Sequence, residues 1–287
     1  MFALLGLIGL ALSALMFTDF EDEDIGEDNA ANQKGADGVG PIASLDTFLP
    51  EETIEGSEDT RNVIFAGESD AAITTGVADD YVDAEGGHDR VHAGAGDDEV
   101  VGGAGDDALF GEAGDDLLTG SVGFDFIDGG DGADRLMGGD GNDILHGGSG
   151  DDALEGSFGD DWLDGGDGAD VLMGGAGIDV LTGGADEETD FLNGGAGDDR
   201  IVGGANDMLS GGDGADHFVI AVDSDATVTD YDPETDTIEI LVEGTEPPEL
   251  ALDDFNGGVR LMADGQTVAS FPDGTMIDLS EIRFIAA

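Results

Sequence analysis

The stretch GGDGADRLMGGDGNDILHGG, residues 129–148, gives most of its positions to glycine and aspartate and leaves only a few apolar side chains between them. Glycine loosens a chain and clustered aspartate repels itself, so the segment alone has little to hold it folded. It consists of two nine-residue units, GGDGADRLM and GGDGNDILH, that follow one pattern. A fixed period of this kind decides the architecture before any single element does.

The frame runs outward in both directions. From Thr75 it proceeds without a gap, through units such as AGAGDDEVV, GGAGDDALF and GSFGDDWLD, to Thr182. Four more follow: GGADEETDFLN with two extra residues, GGAGDDRIV, GGANDMLS one residue short, and GGDGADHFV ending at Val219. All sixteen units carry aspartate at the sixth place and an apolar residue at the eighth. Upstream, residues 57–74 keep Ile64 and Ile73 at the eighth place but put Asn62 and Ala71 at the sixth, as atypical capping repeats do. Residues 120–139 and 156–175 match closely at a spacing of 36, so four units were copied together.

The spacing divides each unit into a six-residue glycine-rich turn and a three-residue strand. Side chains alternate along a strand, so the eighth residue points into a core and the seventh and ninth point out. The core row runs from Val82 to Phe218. Two strands and two turns close a coil of 18 residues, which puts odd units on one sheet and even units on the other. The fold class is all-β.

Composition names the missing component. With 69 acidic residues against 7 basic ones, the net charge is −62, and a compact state works against strong self-repulsion. That charge excludes nucleic acid and anionic membrane surfaces as partners, and multivalent cations are the natural ones. The absence of cysteine excludes disulfides and thiolate metal sites, and favours a secreted protein stabilised by other means. Stacked strands lie about 4.8 Å apart and calcium binds oxygen at about 2.4 Å, so an ion midway between two stacked turns reaches both. Glycines at the first, second and fourth places are expected to adopt the positive φ that turns carbonyls inward. The sixth-place carboxylates are the candidate ligands: Asp80, Asp89, Asp98, Asp107, Asp116, Asp125, Asp134, Asp143, Asp152, Asp161, Asp170, Asp179, Asp190, Asp199, Asp207 and Asp216. Each site draws on units two apart, for example Asp134 with Asp152 on one edge and Asp143 with Asp161 on the other.

GGDGADRLM and GGDGNDILH match GGxGxDxUx, and on these residues the chain resembles the RTX, or haemolysin-type, calcium-binding nonapeptide repeat family. The resemblance covers about half the chain. It implies a right-handed parallel β-roll with several Ca²⁺ ions between turns, and export by type I secretion through an uncleaved C-terminal signal. Three units depart from the pattern: Ala78 replaces the fourth-place glycine before Asp80, an insertion precedes Asp190, and a deletion precedes Asp207. Calcium is not expected to bind normally there.

The flanks complete the domain reading. Residues 1–18 are an apolar N-terminal segment, 19–56 an acidic solvated linker, 57–219 the roll, and 220–287 a small C-terminal β cap. MFALLGLIGLALSALMF is free of charged side chains and, as a helix, reaches about 25 Å, a little short of a bilayer core. A membrane anchor or uncleaved export segment, a cleaved signal peptide, and a helix packed on the protein's own surface all stand open for it. Two stretches in the cap read as strands, with an Asp264-Gly265 hairpin turn. The ending MIDLSEIRFIAA is similar to the apolar export tails of RTX proteins, or is a plain terminal strand.

No H-E-x-x-H, G-x-S-x-G or Walker loop is present, and the 56 residues before the frame are few for a catalytic domain. His92 and His146 face one side about 14 Å apart, too far to share a metal. The expectation is therefore a non-catalytic, calcium-binding protein, extracellular and either secreted or held at the cell surface. The alternatives are a structural or adhesive protein using the roll as a calcium-stiffened spacer, and an accessory subunit of a secreted enzyme. Calcium does not account for an apolar ladder at the seventh place of the even units: Ala108, Phe126, Ile144, Trp162 and Val180. It packs beneath the protein's own terminal segments, favours strand pairing, or serves as a surface for a protein partner or self-association.

Overall fold

The computed structural model describes residues 42–44, 52–57, 59–184, 186–222, 224–242, 247–272 and 275–286. The apolar segment 1–18 and the linker up to residue 41 lie outside the described residues. Among those described there are twenty-six strands and no helix, numbered in chain order from β1 (Ile42–Ser44) to β26 (Arg283–Ala286). The thirteen odd strands with β24 form one sheet of 14 and the other twelve even strands a second, each repeat pairing in parallel with the repeat two units away. This is the parallel β-roll that the nine-residue frame predicts.

The unit divides differently from the expectation. β10 (Phe126–Asp131), β11 (Arg135–Asp140) and β12 (Ile144–Ser149) each hold six residues, running from the seventh place of one repeat to the third of the next. Only places four to six remain as a turn. The extended strand follows from backbone bookkeeping: a peptide group inside a stack needs a partner, and each glycine lies beside its counterpart one coil away. Gly130 pairs with Gly148 and Asp131 with Ser149, so the ladder continues through the glycine pair.

Two positions of each strand therefore point inward. In β10 they are Ile127 and Gly129, the eighth place and the first place of the next unit. All sixteen eighth-place side chains, from Val82 to Phe218, are at most 2% exposed. Each contributes about 2 kcal/mol by leaving water, and the facing glycines let the two sheets close on that single row.

The degenerate units are early coils, with Ile64 on β3 (Val63–Phe65) and Ile73 on β4 (Ala71–Gly76) buried in the same core. β1 and β2 (Glu52–Glu55) already pair in parallel with them and Ile54 joins the core, so the roll begins inside the stretch 19–56 expected to be a solvated linker. At the other end the coiling outlasts the frame. β21 (Ala226–Val228) and β22 (Thr237–Val242) stack in parallel on β19 (Met208–Asp213) and β20 (His217–Ala221), one coil beyond Val219. β23 (Leu250–Phe255), β24 (Gly258–Ala263) and β25 (Gln266–Phe271) then form an antiparallel ribbon on the odd sheet. Its second turn is the expected Asp264-Gly265 pair, with φ of 50° and 82°. β26, from the apolar tail, pairs in parallel with β22.

These C-terminal strands extend the sheets at their edge and do not fold back over the even face. Among the described residues the apolar ladder on that face is thus not covered by the C-terminal strands, which corrects one of its expected roles. The ladder itself is real: Phe126, Ile144, Trp162 and Val180 stand in register on successive even strands.

Candidate metal centre

The sixth residue of every regular unit ends a tight turn and is drawn inside it. Asp134 closes the turn between β10 and β11 and is 1% exposed. Its Oδ1 accepts the backbone N–H of Asp116 at 2.7 Å, and its own N–H donates to Asp152 Oδ1 at 2.7 Å. The same link joins Asp125, Asp143 and Asp161 on the opposite edge, at 2.9 and 2.8 Å. All sixteen predicted aspartates fall into two such columns, one on each edge of the roll. Asp134 with Asp152, and Asp143 with Asp161, are neighbours as the spacing implied. The columns pass through the insertion, from Asp170 to Asp190 at 2.9 Å, and through the deletion, from Asp190 to Asp207 at 3.1 Å.

The second carboxylate oxygen carries the chemistry. In twelve of these residues, from Asp89 to Asp179 and again at Asp199, Oδ2 is buried and has no hydrogen-bond partner. A buried anionic oxygen without a partner is costly, so it marks the place where a cation belongs. The surroundings are oxygen too. A Cβ on Gly129 would run into Asp134 Oδ2 and stand 2.7 Å from Gly147 O, the carbonyl one coil further on. At Gly147 the corresponding atoms are Asp152 Oδ2 and, at 2.5 Å, Gly165 O.

This changes the reason for the first-place glycine. Positive φ occurs at the second and fourth places, for example 106° at Gly130 and 147° at Gly132, and not at Gly129. The first glycine is there because a side chain would fill the space between a carboxylate and a carbonyl.

Hard oxygen donors, one of them charged, suit Ca²⁺ and not the thiolate- or imidazole-preferring metals. Among the described residues no group of three or more His, Cys, Asp or Glu side chains converges on one point. An ion here would be held by one carboxylate per turn, with backbone carbonyls as the other oxygen donors at hand, which is what a glycine-rich turn exposes.

Electrostatics point the same way. Burial, reinforced by neighbouring aspartates and opposed by the backbone N–H bond, pushes Asp98, Asp125 and Asp152 up to about 7. Burial likewise raises Asp116 and Asp143 to about 6, and Asp190 to about 8. Two unit charges stacked at a strand spacing of about 4.8 Å repel by roughly 3 to 4 kcal/mol at an effective dielectric of 20. A divalent ion between them would turn that repulsion into attraction.

The three irregular units and the last regular one differ in detail. Asp80, Asp190, Asp207 and Asp216 are outside the set with an orphaned Oδ2. Asp80 Oδ2 accepts Gly76 N–H at 3.3 Å, and Asp207 Oδ2 accepts the N–H of Gly204.

Two groups of residues escaped the sequence reading. Asp236 continues a column past the frame, its Oδ1 accepting Asp216 N–H at 3.0 Å. The Asp236-Thr237-Ile238 spacing, an aspartate two places before a buried apolar residue, is the signal that could have revealed it. The fifth place forms a second, exposed ladder of opposite direction: Asp97 accepts Asp115 N–H at 3.0 Å, and Asp160 accepts Ile178 N–H at 2.8 Å. Its trace in the sequence is the Asp-Asp doublet. The histidines are engaged elsewhere: His92 stacks on Phe110 at 4.7 Å and meets Glu112 at 3.1 Å, and His146 meets Asp128 at 3.4 Å.

Among comparisons with known proteins, the family match agrees with this geometry. No curated protein matches the chain. One solved structure to which it is similar is an extracellular lipase, LipA from Serratia marcescens, at 13% identity and a TM-score of 0.25. The match covers 81% of this chain but only 42% of the lipase. The model of the RTX calcium-binding nonapeptide repeat matches in eight overlapping windows that run from residues 59–91 to residues 185–218. More than half of the sequence lies in these windows, and the chain belongs to the RTX calcium-binding nonapeptide repeat family.

Proposed function

We propose that this protein is an extracellular calcium-binding module whose roll, at a pH where its turn carboxylates are ionised, forms only when Ca²⁺ enters the two columns of turns. The observation that carries the reading is the set of twelve buried, unpartnered carboxylate oxygens. Residues Asp89 to Asp179 and Asp199 hold the ions together with first-place glycine carbonyls. The sixth-place N–H to Oδ1 bonds tie each turn to the next, so filling one site orders its neighbours and folding is cooperative.

The switch suits a chain that must leave a cell unfolded. Where calcium is scarce, a net charge of −62 keeps the chain extended; where calcium is abundant, the roll closes. Type I export guided by the C-terminal segment fits this order of events. The reading includes no catalytic step and no metal other than calcium.

Far-UV circular dichroism during a calcium titration at pH 8 tests it. A cooperative rise of β signal is expected, and a full β signal in excess chelator would overturn it. Fractionation of cells from medium, with N-terminal sequencing of the product, tests the location and the fate of residues 1–18.

A further inference from the structure

The odd sheet carries the more exposed apolar side chains. On the odd sheet, β9 (Leu117–Val122), β11, β13 (Ala153–Phe158), β15 (Val171–Ala176), β17 (Phe191–Ala196) and β19 lie side by side. Their outward side chains Leu117, Met137, Val171, Met173, Phe191 and Met208 are each between 38% and 43% exposed. Val171, Phe191 and Met208 are in register on consecutive strands. On the even face the apolar side chains shield one another: Ile144 is only 9% exposed, between Phe126 and Trp162.

Charge is scarce on this side of a strongly acidic chain. At the outward seventh, ninth and second places of these six strands the only charged residues are Arg135 and Glu155, of opposite sign and on neighbouring strands. The second places are glycine or serine, which leaves the surface flat. The aspartates lie in the turns or, as Asp140 and Asp213 do, at the end of a strand, at the margins of the face.

The geometry points to a second copy of this chain as the occupant, the two odd faces stacking sheet on sheet. Two flat faces can approach to about 10 Å and interdigitate their side chains. Six strands at about 4.8 Å and six residues at about 3.3 Å give a face of roughly 500 Å² per copy, or about 1,000 Å² in all, enough for a specific if modest dimer. Arg135 and Glu155 make the face self-complementary in charge, which a two-fold interface requires. The acidic margins oppose the pairing until calcium neutralises them, so association is calcium-dependent. The proposal rests on the calcium reading for the folded roll, and circular dichroism on each sample tells a failure to fold from a failure to pair.

Sedimentation equilibrium of the full chain in calcium tests it. A mass near twice 29.0 kDa is expected for the wild type. Phe191→Glu and, separately, Met173→Glu, both at exposed positions, should keep the β signal and weaken the dimer about a hundredfold. Trp162→Ala, on the even face, should leave it intact. A wild-type monomer, a dimer untouched by both odd-face variants, or a dimer lost only in Trp162→Ala would each overturn the proposal.

Discussion

Asp152→Asn separates the two jobs given to a sixth-place carboxylate. The amide keeps an Oδ1 to accept Asp134 N–H, a bond of 2.7 Å, and replaces the orphaned Oδ2 with an NH₂ beside Gly165 O. In the metal-free roll burial pushes the Asp152 carboxyl from 3.8 up to about 7. At pH 8 its ionised form therefore costs the folded state about 4 kcal/mol relative to the unfolded chain, and the amide escapes that cost. In calcium the sign reverses. A site held at a hundredfold excess over its dissociation constant adds about 2.7 kcal/mol, which the amide forfeits. The osmolyte TMAO can drive the metal-free chain to fold, and urea can unfold the calcium form, both followed by circular dichroism. The variant should need less TMAO than the wild type in chelator and less urea in calcium. Destabilisation of similar size in both conditions would mean that Asp152 is only a hydrogen-bond acceptor, and would refute the reasoning.

Other outcomes follow from the same geometry. Because the buried carboxyls of the metal-free roll sit at about 6 to 8 against 3.8 unfolded, their contribution is fully present below pH 3.8 and is lost as pH rises through that window. In chelator, then, acidification from pH 8 to about 4.5 should induce β structure without calcium, and a chain that stays disordered would contradict the shifts. Gly129→Ala costs nothing in backbone φ but puts a methyl between Asp134 Oδ2 and Gly147 O; equilibrium dialysis should show fewer bound ions, and an unchanged number would remove the site from this place. Asp207→Asn should raise the calcium midpoint less than Asp152→Asn does, since Asp207 Oδ2 already holds Gly204 N–H; equal shifts would refute that distinction.

The period alone made the eighth-place core, the odd and even sheets and the pairing of aspartates 18 residues apart legible, because a stacked coil converts sequence spacing directly into contact. Strand length was not legible. Glycine has low strand propensity, and only the stack, by giving Gly130 a partner in Gly148, makes it extended. The role of Gly129 was hidden for a related reason: sequence shows that a side chain is missing, not whether φ or space demands it. Asp236 lay beyond the last recognisable unit, where the loop Thr229–Thr235 breaks the period although the carboxylate still reaches Asp216. The exposed odd face was missed because the even row carries the larger aromatic residues, and size in a sequence says nothing about which row is covered.

The most direct test of the account is small-angle scattering of the full chain at pH 8, first in excess chelator and then with calcium added. At a concentration low enough to keep single chains apart, the account predicts a fall in radius of gyration from about 60 Å, the value for an unfolded chain of 287 residues, to roughly 20 Å. The same compact radius in chelator and in calcium would contradict it.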